Sequence, residues 1–184
     1  MVTWSLPVFW KAKDPWHTTP EEKLTVAKHH KAKGTDCFKA INWLSASRRY
    51  TVCSQALKQL ILIGDKLPED SKDEFEQLRV SCLLNLVACQ GKLERFEFVA
   101  ENCTKVLAMS PTNLKALFRR GQAFVCLNEY ETAMEDLEKA LTLAPCNSAV
   151  QEQLRILKNK QRLHDEKLSK ALSAMFGRRK TSIE

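Results

Sequence analysis

Between residues 113 and 144 the apolar and small side chains return every three or four positions, in two runs parted near residues 128 and 129. Leu117, Gly121 and Phe124 share one face of the first run; Tyr130, Ala133, Leu137 and Ala140 share one face of the second. Spacings of three and four bring side chains to one side of an α-helix, so the segment predicts two amphipathic helices packed as an antiparallel pair. The same reading along the chain predicts seven helices, at about 20–41, 44–66, 72–92, 95–109, 113–127, 130–144 and 147–176. The polar break Pro68-Glu69-Asp70-Ser71 separates the second from the third. Thr19-Pro20-Glu21-Glu22 reads as a helix start, with Thr19 as N-cap, Pro20 at the first helical position and Glu22 closing a capping box. Asn147 or Ser148 caps the last helix, and Gly177 ends it.

The helices repeat. Pro111 and Pro145 lie 34 residues apart, and VSCLLNLVACQGKLERFEFVAENCTKVLAMSP aligns with LKALFRRGQAFVCLNEYETAMEDLEKALTLAP. Gly34, Trp43, Ala46, Tyr50 and Cys53 stand at the offsets of Gly121, Tyr130, Ala133, Leu137 and Ala140. Leu83, Phe96 and Cys103 take the places of Leu117, Tyr130 and Leu137. Val87, Val99 and Val106 replace the small residues, so the second copy reads as the poorer one. A period of about 34 residues built from helix pairs is the signature of tetratricopeptide repeats, in which small residues allow close helix crossings and large ones fill the grooves. The expected fold is all-α: three such repeats over 20–146 in a right-handed superhelix. A capping helix over 147–176 should cover the last apolar face, and 177–184 forms a polar tail. Residues 1–19, with Trp4, Trp10 and Trp16, read as a linker or the remnant of a preceding domain.

Composition narrows the function. Five glycines in 184 residues favour helix, and 29 Lys+Arg against 22 Asp+Glu give a net charge of +7. That excess suits an acidic partner but is too dispersed, and too free of reading motifs, to indicate nucleic acid. Cys37, Cys53, Cys82, Cys89, Cys103, Cys126 and Cys146 are odd in number and form no CxxC pair. They read as reduced, mostly buried thiols of a cytoplasmic protein, not as a disulfide framework. His17, His29, His30 and His164 have no metal-ligand spacing, and no apolar run approaches the ~20 residues of a membrane span. There is no phosphate-cradling loop, nucleophile elbow or carboxylate pair in a recognisable frame. No catalytic residue, metal or cofactor is expected, and Asp136 and Glu138 read as solvent-facing.

The segments FWKAKDPWHTTPEEKL, KHHKAKGTDCFKA, LLNLVACQGKL, KALFRRGQAF and EKLSKALSAMF resemble the C-terminal tetratricopeptide domain of the large immunophilins, the tacrolimus-binding prolyl isomerases that partner chaperones. The aryl-hydrocarbon-receptor-interacting relatives share this plan. The resemblance covers about residues 9–176, and the ~20 residues ahead of the repeats are too few for an isomerase domain, so no isomerase activity is expected. In that family the first helix of each repeat lines a groove that grips the C-terminal Glu-Glu-Val-Asp peptide of heat-shock protein 90, sometimes 70. The resemblance implies a carboxylate clamp of Lys31, Thr35, Asn85, Lys115 and Arg119, with Thr35 standing where an asparagine is common. Its hydroxyl can donate in the amide's place.

The residue types agree with that implication. Lys115 and Arg119, four apart, project from one helix face, as do Lys31 and Thr35. Each cation alone is first a solvated helix side chain; Asn85, inside the apolar string CLLNLVAC, needs partners wherever it sits. Two other readings stand beside the clamp. One is a tetratricopeptide scaffold for a different protein. The other is a calmodulin-responsive adaptor using 147–180, where nine Lys+Arg from Arg155 to Lys180 ride on an apolar stripe. The expected setting is cytoplasmic, with the nucleus compatible.

Overall fold

The computed structural model describes residues 20–62 and 69–177. Its elements are α1 (Pro20–Lys39), α2 (Trp43–Leu62), α3 (Glu69–Lys92), α4 (Phe96–Met109), α5 (Leu114–Leu127), α6 (Tyr130–Leu143) and α7 (Ser148–Gly177). The described residues are all-helical, as the periodicity requires. α3 begins at Glu69, so Glu69-Asp70-Ser71 is not a break but a helix start behind Pro68. An acidic first turn suits the positive end of a helix dipole, and this overrides the polar-loop reading. The Thr19 cap, the tryptophan segment 1–19 and the tail 178–184 fall outside the described residues. Asn147 is the cap of α7: its side-chain oxygen accepts from the Ala149 and Val150 amides at 3.1 and 3.4 Å. Asn113 caps α5 in the same way, accepting from Ala116.

Two compact units divide within α3, between Cys82 and Leu83. In the first, α1 packs on α2, and the early turns of α3 bring Phe75 and Cys82 against Ala27, flanked by Leu24 and Leu78. In the second, the rest of α3 and α4 to α7 enclose three clusters, built around Val87 and Cys103, Leu137 and Leu157, and Leu117 and Val150.

The close-approach positions behave as the repeat pattern requires. A Cβ on Gly34 would lie 2.9 Å from the Tyr50 ring, and one on Gly121 would lie 2.8 Å from Leu137 Cγ. Ala46, Ala133 and Ala140 are fully buried. The second repeat is not simply a poorer copy. Val87 fills the glycine position while Cys103 takes the place of the large partner, and both are buried in one cluster. Volume is conserved by exchanging which helix supplies it, the kind of swap that cores tolerate best.

The turn inside each helix pair places one residue in the left-handed region: Ile41 (φ 60), Glu94 (φ 56) and Asn128 (φ 64), at equivalent repeat offsets. Asparagine tolerates that conformation; a β-branched residue does not. Ile41 is also 71% exposed, so little packing opposes its replacement. Ile41→Asn should therefore stabilise the first unit by about 1 kcal/mol. Urea unfolding checks this: an unchanged midpoint would mean that the turn relaxes around isoleucine without strain.

α7 caps less than expected. Val150, Leu154 and Leu157 pack on α5 and α6, and His164 meets the Tyr130 ring edge-on at 5.6 Å. Past that point Leu168, Leu172, Met175 and Phe176 are exposed, so the cap over 147–176 ends near His164. The reason is length: α7 has 30 residues and α6 only 14.

Candidate peptide-binding site

The five candidate residues fall on three helices. Lys31 and Thr35 lie one turn apart on α1, both half-buried, in the first unit. Asn85 (α3), Lys115 and Arg119 (both α5) lie in the second. Asn85 and Arg119 are half-buried, while Lys115 is exposed.

Within the second unit Arg119 is held. Its Nη1 donates to the backbone carbonyl of Leu84, which is bonded to the Asn85 amide nitrogen. The guanidinium is thus fixed beside Asn85 and retains four further N–H donors. Lys115 projects one turn earlier along α5. The charge of Arg119 also reaches two thiols. Burial pushes Cys89 up to about 11 and Cys103 up to about 12, and Arg119 pulls both partly back. Both thiols therefore stay protonated at neutral pH and serve as small apolar residues. Cys82 is buried too, Cys37 is half-buried, and Cys126 and Cys146 are exposed, while the Cys53 side chain lies outside what the structure describes.

Thr35 is engaged locally. Its Oγ1 donates to the Lys31 carbonyl at 3.0 Å and lies 3.1 Å from the Tyr50 hydroxyl. The hydroxyl is thus shared between the Lys31 carbonyl and the Tyr50 hydroxyl. Glycine at position 34 lets the Tyr50 ring approach closely enough for this bond.

Asp136 does not face solvent. It is 1% exposed and takes a bidentate contact from Arg120, Nε to Oδ2 at 2.6 Å and Nη2 to Oδ1 at 2.7 Å. That hydrogen bond raises the arginine's pKa further above its already high ordinary value. Arg120 Nη1 also donates to Thr104 on α4, and its guanidinium carbon sits 5.9 Å from the centre of the Phe124 ring. Asp136 was legible in principle, since 133, 136, 137 and 140 share one helix face. Glu138 is exposed, as expected. A second pair escaped the sequence reading: Gln122, one turn beyond Arg119, donates to Gln153 of α7 at 3.2 Å. Neither glutamine breaks any pattern that sequence alone reveals.

Among the described residues no three His, Cys, Asp or Glu side chains converge as a metal site, and no helix is long and apolar enough to cross a membrane. Within the second unit Arg119 thus offers a held cationic donor, which suits an anionic group.

No protein-family model matches the chain. It is 34% identical over 166 residues to FK506-binding protein 59 of Drosophila melanogaster, a match covering 90% of this chain but 36% of that relative. The chain thus spans little more than a third of the length of this relative. The C-terminal tetratricopeptide-containing domain of an FK506-binding protein of Plasmodium falciparum superposes with a TM-score of 0.73 at 27% identity, over 83% of this chain and 99% of that one. The first tetratricopeptide domain of Spaghetti (RPAP3), solved bound to the heat-shock protein 90 peptide SRMEEVD, shares the fold with a TM-score of 0.60 at 24% identity, over 76% and 95% of the two chains.

Proposed function

We propose, from the premise that the chain is related to the tetratricopeptide domains of the large FK506-binding immunophilins, that it is a co-chaperone module. It binds the C-terminal Glu-Glu-Val-Asp peptide of heat-shock protein 90 by its terminal carboxylates. The observation that carries this reading is the Arg119 guanidinium, tethered to the Leu84 carbonyl beside Asn85 with Lys115 one turn away. Donors ordered before binding lower the entropy that binding costs. Charge-assisted hydrogen bonds of this kind contribute ~1.5–3 kcal/mol each, and a few of them, offset by ordering, suit micromolar affinity. Lys31 and Thr35, which the resemblance implies for the same clamp, lie in the first unit, where the Thr35 hydroxyl bonds the Lys31 carbonyl and Tyr50. Support from outside comes from the same fold holding an SRMEEVD peptide in Spaghetti. The role assigned is binding without catalysis, since the match is to the tetratricopeptide part of such proteins. A cytoplasmic or nuclear setting follows from the partner.

Calorimetry with the pentapeptide Met-Glu-Glu-Val-Asp tests the proposal. Lys115→Ala and Arg119→Ala should each weaken binding at least ~tenfold, about 1.4 kcal/mol. Amidating the peptide's C-terminus should do the same to the unaltered chain, and added salt should weaken binding. Arg119→Lys should rescue only part of the loss, because a point charge cannot hold the Leu84 carbonyl and a carboxylate in one planar fork. An amidated peptide that binds as well as the free acid would overturn the clamp and leave the scaffold reading in its place.

A further inference from the structure

The open side of α5 carries more than the two cations. Lys115, Arg119, Gln122 and Cys126 follow one another at steps of four, three and four, so they share one stripe of the helix. Lys115 and Cys126 are exposed and Arg119 and Gln122 half-buried, while Leu117, Gly121 and Val125 on the other sides are buried. Within the stripe the two middle residues lean opposite ways. Arg119 reaches α3 through the Leu84 carbonyl, and Gln122 reaches α7 through Gln153 at 3.2 Å. The stripe thus runs between α3 and α7, with a held cation on one flank and a held amide pair on the other.

The amide pair has hydrogen-bonding capacity left over. Gln122 Nε2 donates to Gln153 Oε1, and neither side chain has another partner among the described residues. That leaves the Gln122 carbonyl oxygen as an acceptor and the Gln153 amino group as a donor. Exchanging the roles of the two amides leaves the same remainder. A tie between α5 and α7 does not require the pair, because Val150, Leu154 and Leu157 already pack α7 on its neighbours. Both glutamines are half-buried, so their remaining groups stay within reach of a ligand in the stripe.

We infer that Gln122 and Gln153 bind the main chain of the peptide, one or two residues before its terminal aspartate; the inference rests on the clamp proposed above. An unspent C=O beside an unspent NH2 complements a group that offers an N–H and a C=O along one edge. An extended peptide residue does so, as it does in an antiparallel ladder. A carboxylate offers only acceptors and would face the Gln122 oxygen, so the pair is not a second carboxylate site. Distance sets the residue. Gln122 stands ~4.5 Å beyond Arg119 along α5, and an extended chain advances ~3.4 Å per residue. With the terminal carboxylates at Lys115 and Arg119, the pair falls level with the valine of Met-Glu-Glu-Val-Asp or the glutamate before it. A main-chain contact is blind to side chains. The pair therefore adds affinity for an extended peptide end over a bare carboxylate, not a preference for one sequence.

Calorimetry of the whole chain tests this, with Met-Glu-Glu-Val-Asp and with the same peptide N-methylated at the valine or at the glutamate before it. Methylation removes one main-chain N–H. Gln122→Ala should weaken the plain peptide about fivefold, the effect of losing neutral hydrogen bonds. Gln153→Ala should do the same, and the double variant should lose no more than either, because each amide holds the other. One of the two methylated peptides should bind the unaltered chain about fivefold more weakly, yet bind Gln122→Ala as the plain peptide does. The loss in Gln122→Ala should not change with salt, since the pair carries no charge. If amidating the C-terminus weakens binding while Gln122→Ala does not, the clamp stands and this inference falls. It falls too if methylation at both positions costs the same in both chains, or if the losses multiply in the double variant. A free acid that binds no better than its amide overturns the clamp and this inference together.

Discussion

Replacing Asp136 by alanine should destabilise the second unit by roughly 3–5 kcal/mol. At about 2–4 °C per kcal/mol for a chain of this size, the melting temperature should fall by roughly 6–20 °C. The size of the effect comes from what is left behind, not from the strength of the pair. Asp136 is 2% exposed at its side chain and Arg120 19%. Deleting the carboxylate leaves a guanidinium largely out of water, with only Thr104 and the Phe124 ring to satisfy it. Asp136→Asn should cost less, since the amide oxygen still accepts one bond. The second repeat places Asn102 at the equivalent position, buried and donating to Gln90 at 3.1 Å. The informative variant is Arg120→Met with Asp136→Leu. If the pair confers specificity more than stability, this double change should recover most of the loss. Circular dichroism melting checks all three. A fall of less than about 2 °C for Asp136→Ala would mean that the pair behaves as an exposed one, worth under about 1 kcal/mol.

The fate of Asp136 shows where sequence reading stops. Seven helices were legible because each apolar face repeats at helical spacing, and Pro111 and Pro145 fix the register between copies. The turns were legible as boundaries but not in detail: nothing about Ile41 as a letter announces a left-handed backbone. Only its alignment with Asn128 does so, and that needs the observed φ of 60° to be noticed. Asp136 was misread because charge was allowed to outweigh periodicity. The candidate site divides similarly. Residue types and spacing supplied Lys115 and Arg119, since an i, i+4 pair needs only a helix. They could not supply the Leu84 carbonyl that holds Arg119, because a backbone acceptor has no letter. Nor could they show that the Thr35 hydroxyl is shared between Lys31 and Tyr50. The end of the cap near His164 depends on the relative lengths of α6 and α7, and the stripe on α7 reads the same on both sides of that limit.

Gly121→Val should destabilise the third repeat by about 3 kcal/mol, and a second change in the facing helix, costly by itself, should add less than about 1 kcal/mol to that loss. The first half follows from contact. A Cβ at 121 would stand 2.8 Å from Leu137 Cγ and 2.9 Å from its Cδ2, with the Ala133 carbonyl oxygen at 3.5 Å. Leu137 is fully buried between Val125, Ala133 and Leu157 and has nowhere to turn. The helix-propensity gain on removing a glycine, about 0.5–1 kcal/mol, is smaller than that clash. The second half follows from the protein's own second repeat, where Val87 and Cys103 occupy the equivalent positions in one buried cluster. Leu137→Cys alone should cost about 2–3 kcal/mol, because it opens a cavity. Combined with Gly121→Val, the valine methyls should occupy that space. The double variant should then be more stable than the sum of the two losses by about 2 kcal/mol, near the upper range for residues in contact. Urea unfolding of the four chains gives this coupling directly. Losses that add to within about 0.5 kcal/mol would show that the two repeats fill their crossings by unrelated means. A coupling of the expected size would establish that the interhelical crossing accepts either order of large and small. It would also explain how the second repeat keeps its fold after losing the glycine and alanines that mark the third.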